Sequence, residues 1–134
     1  MSKELLTRIT DGFSDERGDI VNVLRGTPLS HVAVITSKAN TVRGNHWHPK
    51  EDQYMYLISG RYLSFAQQVG YDEITVQLVR AGTLAYCPPG IAHAYYFLED
   101  SVFLNLGQDP RLSEDFDNHT KKFDIIDLNG RPIL

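Results

Sequence analysis

One cysteine, one tryptophan and two methionines occur among the 134 residues of the chain. A lone Cys87 closes no internal disulfide, so the fold is held by noncovalent packing, and the lack of cysteine pairing agrees with a reducing compartment. Nothing beside it in sequence lowers its thiol pKa, so it reads as a small buried side chain. Long apolar runs are missing as well. The longest uncharged stretches, YMYLISG and TLAYCPPGIAHAYYFL, are short or broken by two prolines and a histidine, which excludes a membrane-spanning helix. The first ten residues carry Lys3, Glu4 and Arg8 where an export signal needs an unbroken apolar core, and a cytoplasmic location is expected. Positive charge is scarce: thirteen Lys and Arg against seventeen Asp and Glu leave a net charge of −4. Such a balance offers no broad field for duplex nucleic acid or an acidic membrane, while leaving room for a local arginine pair to hold a small phosphate.

What the chain does contain is average globular composition, 42% apolar and 22% charged, in a length that builds one core. Period-two alternation recurs in DIVNVL, SHVAVITS, QYMYLIS, RYLSFAQQV, EITVQLV, TLAYC, HAYYFL and SVFLNL, which predicts short half-buried strands. Glycine and proline punctuate them at Gly26-Thr27-Pro28, Ser59-Gly60, Gly70-Tyr71-Asp72, Ala81-Gly82 and Pro88-Pro89-Gly90, supplying the dihedrals of tight turns. Strand follows strand without room for crossover helices, so pairing is expected to be mainly antiparallel, closed as a sandwich or barrel. Only DPRLSEDFDN, with Pro110 near its start, reads as a helical turn. A strand-like KKFDIIDL follows it.

Three of the five histidines form a pattern: His46-Trp47-His48, then Gln53, then His93 just after the Pro-Pro-Gly turn. On a strand, residues i and i+2 point the same way about 6.6 Å apart, so two imidazoles at this spacing converge on one ion. His93 opens a run in which it shares a face with Tyr95 and Phe97. If the two strands line one barrel, three imidazoles meet inside it. The plain alternative is a polar barrel mouth whose histidines bond to one another or to water. His31 and His119 have no partners at ligand spacing and read as ordinary strand and surface residues.

These residues resemble the two motifs of the cupin superfamily. His46-Trp47-His48, four residues, Gln53, six residues and Gly60 are similar to the first; Gly82, five residues, Pro88-Pro89-Gly90, two residues and His93 are similar to the second. The resemblance implies an all-β double-stranded β-helix, the cupin jelly roll, spanning 1–134 as one domain. Its barrel core is expected at about 18–107, and a C-terminal extension over 108–134 carries the short helical turn. It also implies one divalent transition metal (zinc, manganese, iron or nickel) held by His46, His48, Gln53 and His93. Gln53 stands where the family has a glutamate, which leaves the ligand set neutral. Asp52 takes that place only in a frame that spoils the spacing to Gly60. Phe97 stands where the second motif ends on asparagine.

Phe13-Ser14-Asp15-Glu16-Arg17-Gly18-Asp19-Ile20 is similar to a stretch near the start of the nucleotide-sugar 3,5-epimerases and 3,4-ketoisomerases. Arg43-Gly44-Asn45-His46 resembles their Arg-Gly-x-His core and, more closely, the cupin domain of capsular-polysaccharide epimerases. The resemblance implies an isomerase or epimerase of a nucleotide-activated keto sugar in polysaccharide biosynthesis. Arg43, with Arg17, would bind the substrate, His46 would act as base and Tyr95 would donate a proton. Removing a proton α to a ketone needs such a base and an electrophile for the enolate oxygen, and a divalent ion can be that electrophile. His46 cannot ligate and abstract at once, since both roles use one lone pair. Strict alternation places Arg43 opposite to His46 unless a bulge at Gly44 re-aims it. A three-histidine iron dioxygenase and a non-catalytic metal- or sugar-binding cupin are the alternatives. Tyr54, Tyr56 and Ile58 alternate with Gln53, Met55 and Leu57, so both faces of one strand are apolar. A homodimer is expected to cover one of them.

Overall fold

Apolar alternation along consecutive strands has a defined outcome when no helix intervenes: antiparallel ladders that bury one face each. The computed structural model describes residues 3–107 and 120–133. These residues form β1 (Leu5–Arg8), β2 (Gly12–Asp15), β3 (Gly18–Val21), β4 (His31–Ser37), β5 (Val42–Trp47) and β6 (Gln53–Ser59). The second half adds β7 (Arg61–Gln68), β8 (Thr75–Arg80), β9 (Thr83–Cys87), β10 (Ile91–Phe97), β11 (Ser101–Gly107) and β12 (Lys121–Lys122). Two five-stranded sheets, ordered β1-β9-β6-β11-β4 and β12-β5-β10-β7-β8, face each other, and β2-β3 is a separate ribbon. All the named pairs are antiparallel, as the alternation and the turns predict, and the architecture is the jelly roll that the cupin resemblance implies.

All eight alternating segments contain a strand, although only the start of DIVNVL is extended, as half of the β2-β3 ribbon. β1 lies outside the alternating segments. It pairs with β9, so the first sheet reaches back to Leu5, ahead of the expected start of the barrel near residue 18. The helical turn expected over 109–118 lies outside the described residues, as does His119. No helix among the described residues is long and apolar enough to cross a membrane.

Between the sheets, Met55, Leu57, Tyr62, Val79, Ala85, Tyr95, Phe97 and Phe103 form the core. Burying each large side chain contributes about 1.5–3 kcal/mol, which is what closes the two ladders on each other. A second cluster lies outside the β5-β10-β7 face, where Phe65, Ala92 and Ala94 are covered by Ile125 and Ile126 of the C-terminal segment. Asn45 fastens that cover. Its Oδ1 accepts the N–H groups of Ile125 (2.8 Å) and Ile126 (3.1 Å), and its Nδ2 donates to the Ile126 carbonyl (3.0 Å). The opposite outer face has no such cover from the described residues: Val34 is 68% exposed and Val32 59%, while Tyr54 stacks on Tyr86 with ring centroids 5.0 Å apart.

Candidate metal centre and cavity

The site is built where β5 meets β10. His93 lies opposite His46, but Ala94 lies opposite Gly44, so Asn45 is an extra residue and the ladder bulges there. Gly44 (φ 89°) and Asn45 (φ 58°) both take left-handed backbone. A Cβ on Gly44 would sit 2.8 Å from the His93 carbonyl oxygen, so the close approach of the two strands requires glycine. One inserted residue also reverses the alternation behind it. Arg43, which unbroken alternation sends to the far side of the sheet, therefore lines the same cavity as His46.

One ring nitrogen from each of His46, His48 and His93 falls within 4.8 Å of the other two. The ring centroids are 4.6 to 5.4 Å apart. His93 is fully buried and His48 is 7% exposed. Burial, reinforced by neighbouring imidazoles, pushes His46 down to about 4 and His93 well below its ordinary range. Both rings are therefore neutral at pH 7 and keep a lone pair. His93 Nδ1 lies 3.1 Å from Cys87 Sγ, and the thiol has oxygen acceptors for its own proton in the Ile91 carbonyl (3.5 Å) and in Glu4. That arrangement places the ring proton on Nδ1. It leaves Nε2 a bare, buried acceptor with no hydrogen-bond partner among the described residues.

His48 Nε2 is 2.9 Å from Gln53 Oε1, and the Gln53 amide nitrogen donates to Asn105 Oδ1 (3.0 Å), which turns the amide oxygen toward the imidazoles. Two ligand atoms on one octahedral ion sit about 3 Å apart, so the His48–Gln53 spacing already suits a shared ion. Thr120 Oγ1 (3.3 Å) and Glu51 Oε2 (3.9 Å) flank His48 Nδ1 and provide an acceptor for its proton when Nε2 ligates. An orphaned Nε2, two further imidazoles and one amide oxygen fit a borderline divalent ion. Asp52 is turned away from the cluster: its Oδ1 accepts the Tyr86 hydroxyl at 2.6 Å.

A cavity of about 250 Å³ opens beside this cluster, lined by Arg43, His46, Gln53, Tyr95, Phe103 and Asn105 among others. Of the three clustered histidines, His46 is the one on its wall. Arg43 donates through Nε to Ser37 Oγ (2.6 Å) and through Nη2 to the Thr36 carbonyl (2.9 Å), and it has no ion pair among the described residues. Tyr95 presents its ring, while its hydroxyl donates to Glu4 Oε2 at 2.6 Å and burial pushes its pKa well up. That proton must leave a carboxylate before it can serve a substrate. Arg17 is elsewhere, on the β2-β3 ribbon, 81% exposed at its side chain and paired with Asp15. Phe97 is fully buried in the core, and His31 begins β4 outside the cluster.

Glu4, Glu51 and Asn105 belong to the site's surroundings without having been singled out from sequence. Asn105 carries a readable signal, since Ser101, Phe103 and Asn105 share the inward face of β11, where a polar residue is unusual. Glu4 carries none, because its partners Ser64 and Tyr95 lie 60 and 91 residues away.

A jelly roll with three imidazoles converging between its sheets is a cupin. More narrowly, the chain belongs to the family described as the polysaccharide biosynthesis C-terminal domain, whose sequence model it matches over residues 13–100. No protein of curated function matches the sequence. Among solved structures it is similar to ChmJ, a 3'-monoepimerase from Streptomyces bikiniensis in complex with dTDP-quinovose, at 21% identity, 78% coverage of this chain and TM-score 0.67. It is also similar to a dTDP-4-dehydrorhamnose 3,5-epimerase from Sulfolobus tokodaii, at 22% identity over 84% of this chain and 72% of that one, TM-score 0.66. A third is QdtA, a sugar 3,4-ketoisomerase from Thermoanaerobacterium thermosaccharolyticum in complex with TDP, at 18% identity over 80% and 81%, TM-score 0.67. The chain spans 63% of the length of ChmJ. At these identities the likeness is one of fold.

Proposed function

We propose that the chain is a metal-dependent isomerase, an epimerase or ketoisomerase, of a nucleotide-activated keto sugar used in polysaccharide biosynthesis. The observation that carries this reading is the placing of Arg43, which has no ion pair among the described residues, and of His46 from the imidazole cluster on the wall of one cavity. Arg43 also borders an outer hollow of about 670 Å³, lined in part by Thr36, Lys38, Thr41 and Asp100. A diphosphate on Arg43 would put the sugar in the inner cavity and the nucleoside in the outer hollow. His48, His93 and Gln53, with His46 when it is not the base, would hold a divalent ion, which would supply positive charge for an enolate oxygen. Arg43 fixes the substrate along the cavity, Phe103 and Met55 keep the reacting end dry, and Tyr95 is the proton donor once Glu4 releases its hydroxyl. His46 is either a ligand or the base, and the two assignments respond differently to a chelator.

The test is proton exchange. Incubated in D₂O with a nucleotide-linked 4-keto-6-deoxy sugar, the protein is expected to place deuterium on ring carbons next to the ketone. Loss of exchange with a chelator supports the metal requirement; exchange retained in chelator-stripped protein overturns that requirement and leaves His46 as a metal-free base. Three imidazoles with open positions also suit an iron dioxygenase, and oxygen uptake that tracks turnover with no deuterium in the sugar would replace the isomerase with that reading. The bare outer face of Tyr54, Tyr56, Ile58, Val32 and Val34 is assigned to a second copy of the chain. A monomeric mass by light scattering at micromolar concentration would refute the dimer.

A further inference from the structure

Gln53 leaves the histidine centre without a carboxylate among its ligands, yet a carboxylate is buried directly behind it. Glu4, just ahead of β1, is 1% exposed. It accepts the Ser64 hydroxyl on Oε1 (2.5 Å) and the Tyr95 hydroxyl on Oε2 (2.6 Å), and it is hydrogen-bonded to Cys87, the residue that holds His93 Nδ1 at 3.1 Å. These partners come from the inward faces of β7, β10 and β9, so three strands of the barrel converge on one acid. None of the partners is cationic, and Glu4 has no ion pair among the described residues. An isolated carboxylate in such a place costs several kcal/mol, which neutral donors offset only in part. Burial accordingly raises its pKa. The polar chain running on from Glu4 leads through the thiol to His93 and ends at the bare Nε2 that faces the other two imidazoles.

We propose that Glu4 is the counter-charge of the metal centre, acting through Cys87 and His93 as a positioning residue in place of the carboxylate that position 53 lacks. The inference rests on the metal-binding reading above. A dication at the centre favours the ionised Glu4 that burial alone opposes, and this negative charge behind the ring holds the Nδ1 proton on the Cys87 side, strengthens Nε2 as a donor and balances part of the dication's charge at a distance. Removing that charge should loosen metal more than removing a hydrogen bond does. Outer groups of this kind change affinity by about 10–100-fold.

The measurement is Co(II) binding to the purified, chelator-stripped protein, followed by visible absorption and by competition with a chelator. Wild type, Glu4→Gln, Glu4→Asp and Ser64→Ala are compared. Glu4→Gln should weaken Co(II) binding tenfold or more and alter the absorption, Glu4→Asp should recover part of the loss by restoring the charge, and Ser64→Ala should stay within about threefold of wild type. Less than a tenfold loss in Glu4→Gln overturns the proposal, and so does an equal loss in Ser64→Ala, which would make the role one of packing. Should Glu4→Gln fail to fold, the same decision falls to Glu4→Asp against Ser64→Ala, with a greater loss in Ser64→Ala overturning it. A wild-type protein that takes up no Co(II) removes the metal reading itself and this inference with it.

Discussion

On the inward face of β10, His93 and Phe97 lie two alternate positions apart, and the two ends of the barrel they mark are built for different ends. Around Phe97, rings pack on rings: Phe103 stacks at 5.7 Å and Tyr62 lies at 5.3 Å. Around His93, whose pKa burial depresses, imidazoles are held by a thiol, an amide and a carboxylate. Tyr95 stands between, its ring 5.3 Å from His93 and 5.1 Å from Tyr62. One end holds the sheets together, which leaves the other free to keep polar groups that stability alone would not select.

Substitutions that treat the two ends alike would break this division. Phe97→Ala should cost about 3–5 kcal/mol of folding stability, read by denaturant titration, while protein that does fold keeps its metal. His48→Ala should do the reverse, losing most of the metal by elemental analysis with the fold intact; full occupancy would remove the site assignment. Between them, Tyr95→Phe removes a donor needed during turnover and should lower kcat by about 10²-fold. Arg43→Ala, at the cavity's outer edge, removes charge-assisted bonds made in both ground and transition states and should raise KM by about tenfold with kcat nearly unchanged. The last effect is on acid stability. In the metal-free protein the folded pKa of His46 is about 4, whereas an unfolded histidine titrates near 6.5. Between those values the unfolded chain binds more protons, so stability is complete above pH 6.5 and declines as pH falls toward about 4. A melting temperature that is flat across that interval would contradict the buried, neutral histidine end.

The sheets were legible because period-two alternation is a local property that the jelly roll leaves undisturbed. β5 was the strand whose partners could not be read in full, since Val42–Trp47 contains the bulge and alternation across it changes sign. The same bulge explains why Arg43 joins His46 in spite of its parity. Position 53 was distinguishable from position 52 by spacing alone; in the structure the Gln53 amide faces His48 and the Asp52 carboxylate faces Tyr86. Glu4 was hidden for a physical reason. A glutamate in a charged N-terminal stretch reads as solvated, and only the closed barrel shows that β1 draws it under Tyr95 and Ser64.

The Asn45 clamp bears on the order in which this protein assembles. The amide at the bulge bonds residues 80 and 81 positions further along the chain, and His46 next to it pairs with Lys122. Because synthesis runs from the N-terminus, the strand carrying His46 is made long before the segment that fixes its bend. Contacts so distant in sequence form late and slowly. A nascent barrel is thus expected to collapse around its aromatic end first. The histidine end acquires its final geometry only when residues 121–126 dock, so the imidazole cluster is completed at the close of folding and not at its beginning.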